Sequence, residues 1–246
     1  MKRLYQTVAN ALRKDIAEGK FAVGQRLPAE RLLAEQFEVS RPTIREAVIA
    51  LEISGLVEVR GGSGVYVVST DGKQDANLSD LDVGPFELME ARRIFESDMA
   101  AVAAERISEE ELAQLDELLV EMARENEIGA AGEKADKAFH LAIAQATQNS
   151  AVVSVEEWLW AKRETSPMVV EMLNRSRAYG VQPMIKDHKL IVDALRKRTP
   201  EAARAAMSQH LSNVIDALLE VSEAEAVDKA RSEALAKRTK YLGLSL

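Results

Sequence analysis

Two short helical runs separated by only three residues constrain this chain more than any other feature. AERLLAEQF (29–37) is followed by the turn EVS and by RPTIREAVIALEISG, where Ser40 suits an N-cap, Pro42 the first turn and Gly55 the end. Two strand-type runs, LVEVR and GVYVVS, then follow, joined by GGS. With a helix predicted in residues 1–20, the order is helix, helix–turn–helix and hairpin.

This order predicts a winged helix–turn–helix that reads DNA, because an α-helix fits the major groove and meets base edges there. The first turns of the second helix hold Arg41, Thr43 and Arg45, and positions 41 and 45 share one face. Ser40 and Thr43 can donate to phosphate, and the wing sequence RGGSG adds Arg60. A solvated arginine face is the alternative, but clustering at one helix start, between a turn and a wing, favours DNA binding.

The charge distribution agrees with a polyanion partner for the N-terminal end. Residues 1–70 carry ten Lys/Arg and eight Asp/Glu, a net charge of +2, whereas residues 71–246 carry 22 and 32, a net charge of −10. Chance variation over seventy residues is the alternative. The absence of cysteine excludes thiolate metal sites, and no apolar run approaches about 18 residues, so we expect a cytoplasmic protein without a membrane span.

The rest of the chain is predicted to be helical, so the expected fold is mainly α, with an N-terminal winged helix–turn–helix and a C-terminal all-α bundle. The predicted domains are a DNA-binding domain (1–70), a polar linker (71–84), an effector-binding and dimerisation bundle (85–223) and a charged tail (224–246) that is helical in part. The predicted helical segments of the bundle are 86–106, 108–127, 131–147, 151–177, 183–197 and 200–223.

The three histidines of the chain lie on three of these predicted helices. ADKAFH places Asp136 and His140 one turn apart on one face, while His188 and His210 follow on two later helices. One carboxylate and three imidazoles suit a divalent ion such as zinc, nickel or manganese. Three separate, hydrogen-bonded core histidines are the alternative, because spacing alone does not show that the side chains converge.

The stretch GQRLPAERLLAEQFEVSRPTIREAVIALEISGLVEVRGGSGVYVV closely resembles the winged-helix domain of the GntR family, through LPAER, S-R-x-T-x-R-E-A and the glycine wing. In that family the PAER arginine, two arginines of the reading helix, nearby hydroxyls and the wing-tip glycine contact operator DNA. The resemblance places these roles on Arg31, Arg41, Arg45, Ser40, Thr43 and Gly62. Many members have Thr or Ser where this chain has Pro42, so one hydroxyl is missing here.

The helical part resembles the FCD ligand-binding domain of the FadR-type branch of that family. Metal-binding members carry Asp-x-x-x-His followed by two further histidines. In this chain the second histidine lies 48 residues after the first, and the third lies 22 residues after the second. The resemblance therefore implies that a divalent metal, zinc before nickel or manganese, is held by Asp136, His140, His188 and His210.

Other segments indicate the effector. GPFELMEARRIFESDMAAVAAE resembles the first FCD helix, where the arginine of E-x-R-x-x-x-E faces the ligand, and this arginine is Arg92. Arg92 can bind a carboxylate through two hydrogen bonds, or it can form a structural ion pair with Glu96. Together with FHLAIAQATQNSAVV and MSQHLSNV, the segment is most similar to repressors of hexuronate use, and EEWLWAKRETSPM adds Trp160 and Arg163 as effector-binding positions.

The resemblance implies a homodimeric transcription regulator, a repressor rather than an enzyme, that binds double-stranded operator DNA. A small sugar acid bound at the metal site would release it. Three alternatives remain open: another carboxylic acid as effector, the metal itself as effector, or a metallohydrolase with an appended DNA-binding domain. The sequence contains no HExxH motif, which counts against the hydrolase.

Overall fold

A computed structural model describes residues 3–60, 63–72, 82–129 and 133–242 of the chain, with side chains as far as Val221. Within these residues it contains ten α-helices and one two-stranded sheet, so the prediction of a mainly α protein is confirmed. Backbone proximity divides the chain into two compact units, one comprising Met1–Phe86 with Leu218–Leu246 and the other Glu87–Ala217.

The first unit begins with the predicted helix and helix–turn–helix. These helices are α1 (Leu4–Ala17), α2 (Glu30–Phe37) and α3 (Arg41–Ile53). Glu38 takes a left-handed conformation (φ 54°) that ends α2, and the Ser40 hydroxyl accepts a hydrogen bond from the Thr43 N–H to begin α3. The core of this unit is formed by apolar side chains that include Leu12, Ile16, Leu27, Leu33, Ile44, Leu51 and Val67.

The predicted wing is an antiparallel hairpin of β1 (Val57–Arg60) and β2 (Gly64–Val67). Val57 lies opposite Val67, and Val59 lies opposite Val65; of these four, Val57, Val65 and Val67 are buried in the core. Gly64 has a φ of +115°, a backbone conformation that favours glycine, and a Cβ there would also lie 2.3 Å from the Nε of Arg26 and displace that side chain.

The second unit contains helices and connecting turns, with no strand among its described residues. Its helices are α4 (Pro85–Arg106), α5 (Glu109–Glu127), α6 (Lys134–Ala146), α7 (Ser150–Thr165), α8 (Pro167–Ala178), α9 (Ile185–Arg196) and α10 (Pro200–Leu242), of which α4 begins and α10 ends in the first unit. Ser108 and Glu111 form a complete capping box at the start of α5. The helices bury apolar side chains, among them Leu88, Leu115, Phe139, Ile143, Trp160, Ile191 and Leu211.

The prediction of a single helix over 151–177 is wrong. The structure ends α7 at Thr165 and begins α8 at Pro167, with Ser166 between them in an extended conformation (φ −68°, ψ 121°). Proline disfavours helical backbone at the preceding residue but suits the first turn of a new helix, which explains the break. At the other end, α10 continues beyond the predicted boundary at residue 223 as far as Leu242.

The predicted boundaries at residues 70, 85 and 223 stay a prediction, because most of the linker lies outside the described residues and the first compact unit also takes in α10 from Leu218 onward. Across the part of the chain that is described, none of the helices combines the length and apolar character needed to span a bilayer.

Candidate functional site

The start of α3 carries the predicted DNA-contacting hydroxyls and one predicted arginine. Ser40 Oγ and Thr43 Oγ1 lie 2.8 Å apart, and both residues are at the N-terminal end of the helix. The Arg41 side chain is 58% exposed, and that of Arg31, at the start of α2, is 70% exposed. These four side chains are therefore available to a polyanion on the surface of the first unit.

Arg45 differs from the other predicted DNA contacts because its side chain is only 7% exposed. Its Nε donates to Glu30 Oε2 at 3.1 Å, and its Nη1 donates to the backbone carbonyl of Leu219 at 3.4 Å. Arg41 approaches the same Glu30 carboxylate at 4.0 Å, so the two arginines do share one face of α3. In this conformation the Arg45 guanidinium is turned away from solvent and bonded within the first unit.

On the wing, Arg60 is half-buried. Its Nε donates to Glu58 Oε2 at 3.1 Å, and its guanidinium lies 4.6 Å from the centre of the Tyr66 ring. The remaining predicted contact, Gly62, lies outside the described residues.

The second unit brings together the four residues predicted to bind metal, which we call the histidine cluster: Asp136 and His140 of α6, His188 of α9 and His210 of α10. One nitrogen from each histidine lies within 4.8 Å of the others. All four residues are buried, and His140 and His188 are fully buried. The three histidines therefore converge rather than pack separately.

The hydrogen bonds of His188 restrict where its proton sits. Nδ1 lies 2.9 Å from the Met184 carbonyl oxygen, which can only accept, so Nδ1 carries a hydrogen. Nε2 faces Asp136 Oδ1 at 3.0 Å. Burial alone would raise the pKa of Asp136, but the hydrogen bond with His188 and the nearby positive charges lower it far below its usual value. An ionised carboxylate beside an imidazole lone pair requires a proton or a metal ion between them.

His140 is arranged in a similar way. Its Nδ1 lies 2.6 Å from Glu96 Oε2, and its Nε2 lies 3.7 Å from Asp136 Oδ1 with no hydrogen-bond partner. His210 Nδ1 also has no hydrogen-bond partner, and Asp187 Oδ2 is 4.0 Å away. Burial, with the neighbouring histidines, lowers the pKa of His210 well below its usual value, so this imidazole is neutral.

These observations fit a divalent metal. Buried imidazole nitrogens without partners are costly unless something binds them, and imidazole nitrogens beside an ionised carboxylate form a ligand set that suits a metal ion. In a tetrahedral zinc site with bonds of about 2.0–2.1 Å, ligand atoms lie roughly 3.3 Å apart. The separations of Asp136 Oδ1 from His188 Nε2 and His140 Nε2, 3.0 and 3.7 Å, lie on either side of that value. The carboxylate of Glu96 beside His140 is the kind of outer group that orients a metal-binding histidine.

Next to the histidine cluster lies a group of charged and aromatic side chains around Trp160. Arg92 forms an ion pair with Glu96 at 2.6 Å, one of the two roles that the sequence allowed for this arginine. Its guanidinium carbon lies 4.6 Å from the centre of the Trp160 ring. Burial works against the charged form of Arg92, but Glu96 and Glu156 raise its pKa. Arg163 also lies over Trp160, at 4.9 Å, and forms an ion pair with Glu133.

Sequence reasoning missed three acidic residues of this region, Glu133, Glu156 and Asp187. Glu156 accepts a hydrogen bond from the Trp160 indole N–H at 2.8 Å, and Asp187 Oδ2 accepts one from Asn213 at 2.7 Å. A glutamate one helical turn before a predicted pocket tryptophan, and an aspartate directly before a predicted ligand histidine, were the available signals.

Comparison with known proteins matches both units. Residues 4–67 match "Bacterial regulatory proteins, gntR family", and residues 87–213 match the FCD domain. A Haemophilus influenzae protein described as "Uxu operon regulator" is 40% identical, with 92% of this chain and 85% of that protein covered. The Escherichia coli "Uxu operon transcriptional regulator" is 41% identical, covering 91% and 90%, and the E. coli "Exu regulon transcriptional regulator" is 39% identical, covering 86% and 83%.

Proposed function

The chain belongs to the GntR family of bacterial regulatory proteins, with an FCD domain after the winged helix, and on that premise we propose that it is a transcriptional repressor of hexuronate catabolism genes. It binds double-stranded operator DNA in the cytoplasm as a homodimer and is released by a sugar acid. The names of its relatives in H. influenzae and E. coli, which refer to the Uxu operon and the Exu regulon, support the hexuronate class. The domain division at residues 1–70, 71–84, 85–223 and 224–246 is part of the proposal.

The observation that carries the proposal of an effector site is the convergence of the histidine cluster beside a buried arginine. Asp136, His140, His188 and His210 would hold a divalent metal, zinc in the first place and nickel or manganese otherwise. Bound there, the metal would supply a Lewis-acidic contact for effector oxygens. Arg92 is the nearby fixed positive charge, and it would exchange part of its pairing with Glu96 for the effector carboxylate. Trp160 and Arg163 are the further effector-binding positions.

On the DNA side, Arg31 and Arg41 have exposed side chains that suit phosphate or guanine contacts, and Ser40 and Thr43 offer hydroxyls at the start of α3. Arg45, Arg60 and Gly62 complete the proposed set. For Arg45 to reach a base edge, its hydrogen bond to Glu30 must break, so binding DNA would involve a change of partner for this arginine.

A homodimer is supported by apolar side chains on the surface of the second unit. Ile94 of α4 is 62% exposed, and Val155 and Trp158 of α7 are 42% and 54% exposed. Val155 and Trp158 are three residues apart and so share one face of α7; exposed apolar side chains of this size indicate an interface, and a two-fold protein suits a palindromic operator.

Two other functions have support from the same residues. The metal itself would be the effector if the histidine cluster sets the affinity for DNA. A metallohydrolase would use a carboxylate near the metal as general base, and a carboxylate oxygen from each of Glu96 and Glu156 lies within 4.8 Å of a His140 ring nitrogen. The family match and the exposed arginines of α2 and α3 favour the regulator.

The deciding experiment titrates the purified protein on its own upstream promoter DNA, followed by fluorescence anisotropy. Galacturonate, glucuronate, fructuronate, gluconate and lactate are added in turn, with and without chelator. Release of the DNA by one hexuronate, lost on chelation, supports the effector class and the metal site together. DNA binding that changes with metal alone identifies the metal as effector, and consumption of a sugar acid by the protein identifies an enzyme instead of a regulator. Indifference to every acid contradicts the sugar-acid proposal and leaves DNA binding standing.

A further inference from the structure

Glu156 has one carboxyl oxygen that is satisfied and one that is not. It lies in the middle of α7 and is fully buried. Oε1 accepts the hydrogen bond from the Trp160 indole, while Oε2 is buried without a hydrogen-bond partner. A buried carboxyl oxygen without a partner costs free energy unless a ligand or water provides one, so Oε2 marks a place where a polar group is missing.

The surroundings of Glu156 indicate where that missing group belongs. A carboxylate oxygen of Glu156, one of Glu96 and a ring nitrogen of His140 lie within 4.8 Å of one another. The same tryptophan that donates to Glu156 lies under the guanidinium of Arg92. A molecule that reached both Arg92 and the histidine cluster would therefore pass close to the Glu156 carboxyl group, whose Oε2 has no partner.

We propose that Glu156 is a specificity-determining residue, whose Oε2 hydrogen-bonds a hydroxyl group of the effector and so selects hydroxylated carboxylic acids over plain ones. This assignment rests on the proposed function, because it assumes that a small carboxylate binds beside Arg92. It goes further by naming the side chain that distinguishes a sugar acid from a carboxylate without hydroxyls. A site built to bond a hydroxyl rejects an analogue that lacks it, since the buried polar group is then left unpaired.

A hydroxyl suits this position better than other ligand groups. The carboxylate of an effector belongs at Arg92, the nearby fixed positive charge, whereas beside Glu156 Oε2 it would lie against the two carboxyl groups of Glu156 and Glu96. An apolar group would leave Oε2 unsatisfied. A hydroxyl can both donate and accept, so it pairs with Glu156 in either protonation state. Burial, together with the charge of Glu96, raises the pKa of Glu156 to about 8, which agrees with a carboxyl that exchanges hydrogen bonds with a neutral group.

Two other roles for Glu156 make different predictions. It is a metal ligand if the ion sits between Glu96, His140 and Glu156 instead of in the histidine cluster. It is purely structural if its only task is to accept from Trp160. If Glu156 is a metal ligand, its substitution lowers the zinc content of the protein. If Glu156 is purely structural, its substitution lowers stability but leaves the choice of ligand unchanged.

The test combines variants of the protein with variants of the ligand. Full-length zinc-loaded wild type, Glu156→Met and Glu156→Gln are titrated by calorimetry with galacturonate, glucuronate and the 2-, 3- and 4-deoxy analogues of galacturonate. Glu157→Gln, one residue along α7 and exposed, is the matched control. Zinc content and unfolding midpoint are measured for each variant. Glu156→Gln keeps an acceptor for Trp160 and serves if the methionine variant does not fold.

Removing the hydroxyl that meets Glu156 should weaken binding to wild type roughly tenfold or more, but have little effect on binding to Glu156→Met, which has no partner for it. For Glu156→Gln, the loss of affinity caused by removing a hydroxyl from the effector should differ from that of wild type at that one hydroxyl only. If each deoxy analogue lost the same affinity for wild type and for the variants, the role of Glu156 in specificity would be overturned. Loss of zinc from the Glu156 variants would overturn it as well. If wild type binds none of the sugar acids, the effector class in the proposed function fails, and the role of Glu156 fails with it.

Discussion

Two arginine–glutamate pairs with the same four-residue spacing lie in the two regions of this chain. Arg31 and Glu35 of α2 have side chains that are 70% and 60% exposed, whereas Arg92 and Glu96 of α4 are 3% and 0% exposed. Water and salt screen the first pair, so its arginine can exchange a carboxylate for a DNA phosphate at little cost. The second pair is fixed by burial, so only a ligand that replaces its hydrogen bonds can displace it.

The same contrast separates the two proposed sites as a whole. The arginines and hydroxyls at the starts of α2 and α3 are mostly on the surface, as a polyanion requires. The histidine cluster is nine-tenths buried or more, and its ligand atoms have few competing partners. A surface site tolerates substitution of single residues, because each contact adds a modest amount. A buried site does not, since each missing group leaves another unpaired.

The largest expected effect comes from removing the glutamate of the buried pair. Glu96→Ala leaves the Arg92 charge buried and should lower the free energy of unfolding by about 3–5 kcal/mol. Glu35→Ala should change it by less than about 0.5 kcal/mol. Urea unfolding of chelator-treated protein measures both. Tryptophan fluorescence reports on the second unit, where both tryptophans lie on α7, and circular dichroism reports on all helices. Equal losses of unfolding free energy for Glu96→Ala and Glu35→Ala would contradict the contrast between the buried and the exposed pair.

The next effect concerns the metal. His188→Ala removes a nitrogen that faces Asp136 at 3.0 Å, and we expect zinc affinity to fall roughly a hundredfold or more, because even outer-shell changes cost about 10–100-fold. Affinity of the folded, metal-free protein for its operator should stay within about twofold, since His188 belongs to the second unit.

Lys189→Ala is the matched control for this variant, because the neighbouring lysine is exposed on the same helix. Zinc affinity is measured by competition with a chromogenic chelator, and DNA binding by anisotropy. Unchanged zinc affinity in His188→Ala would remove His188 from the ligand set, and an equal loss in Lys189→Ala would indicate a general effect of disturbing α9.

A smaller effect is expected at the one buried arginine of the DNA-binding region. Arg45→Ala should weaken operator binding by about 1–3 kcal/mol if Arg45 leaves Glu30 to read a base. Arg41→Ala, which removes an exposed charge, should weaken binding to operator and to random DNA alike and reduce the dependence on salt.

Fluorescence anisotropy with operator DNA and with random DNA, at several salt concentrations, distinguishes the roles of Arg45 and Arg41. A loss for Arg45→Ala that is equal on both DNAs would make Arg45 a phosphate contact. No loss at all would assign Arg45 to a structural role within the first unit, where it bonds Glu30 and the Leu219 carbonyl.

The first unit could be predicted from sequence almost element by element, because its signals are contiguous. A cap at Ser40, a three-residue turn and a hairpin joined by glycines each act within a few residues, and the structure contains α2, α3, β1 and β2 where the sequence placed them. Its charge environment could not be predicted. Nothing local indicates that Glu30, fifteen residues earlier, would bury Arg45.

The site in the second unit depends on contacts between residues far apart in the chain. The pattern of one aspartate and three histidines predicted the residues of the cluster, but only folding brings His188 within 3.0 Å of Asp136, fifty-two residues earlier. Glu156 gave no comparable signal, since a glutamate on an amphipathic helix is usually solvated. The break at Ser166 was missed although Pro167 is a local signal, because the apolar pattern continues through it.

The smallest predicted difference compares helix caps in the two regions. At the start of α5, Ser108 Oγ accepts from the Glu111 N–H at 3.1 Å, and Glu111 Oε2 accepts from the Ser108 N–H at 2.8 Å. At the start of α3, Ser40 Oγ accepts from the Thr43 N–H at 3.3 Å and shares a contact with the Thr43 hydroxyl. Ser108→Ala should therefore cost about 1 kcal/mol of stability, and Ser40→Ala about half as much.

Thermal unfolding followed by circular dichroism measures both costs, and anisotropy on operator DNA supplies a second result for Ser40. Because its hydroxyl lies at the N-terminus of the proposed reading helix, Ser40→Ala should also weaken operator binding, whereas Ser108→Ala should not. A larger stability loss for Ser40→Ala, with operator affinity unchanged, would make Ser40 a structural cap and remove it from the proposed DNA contacts.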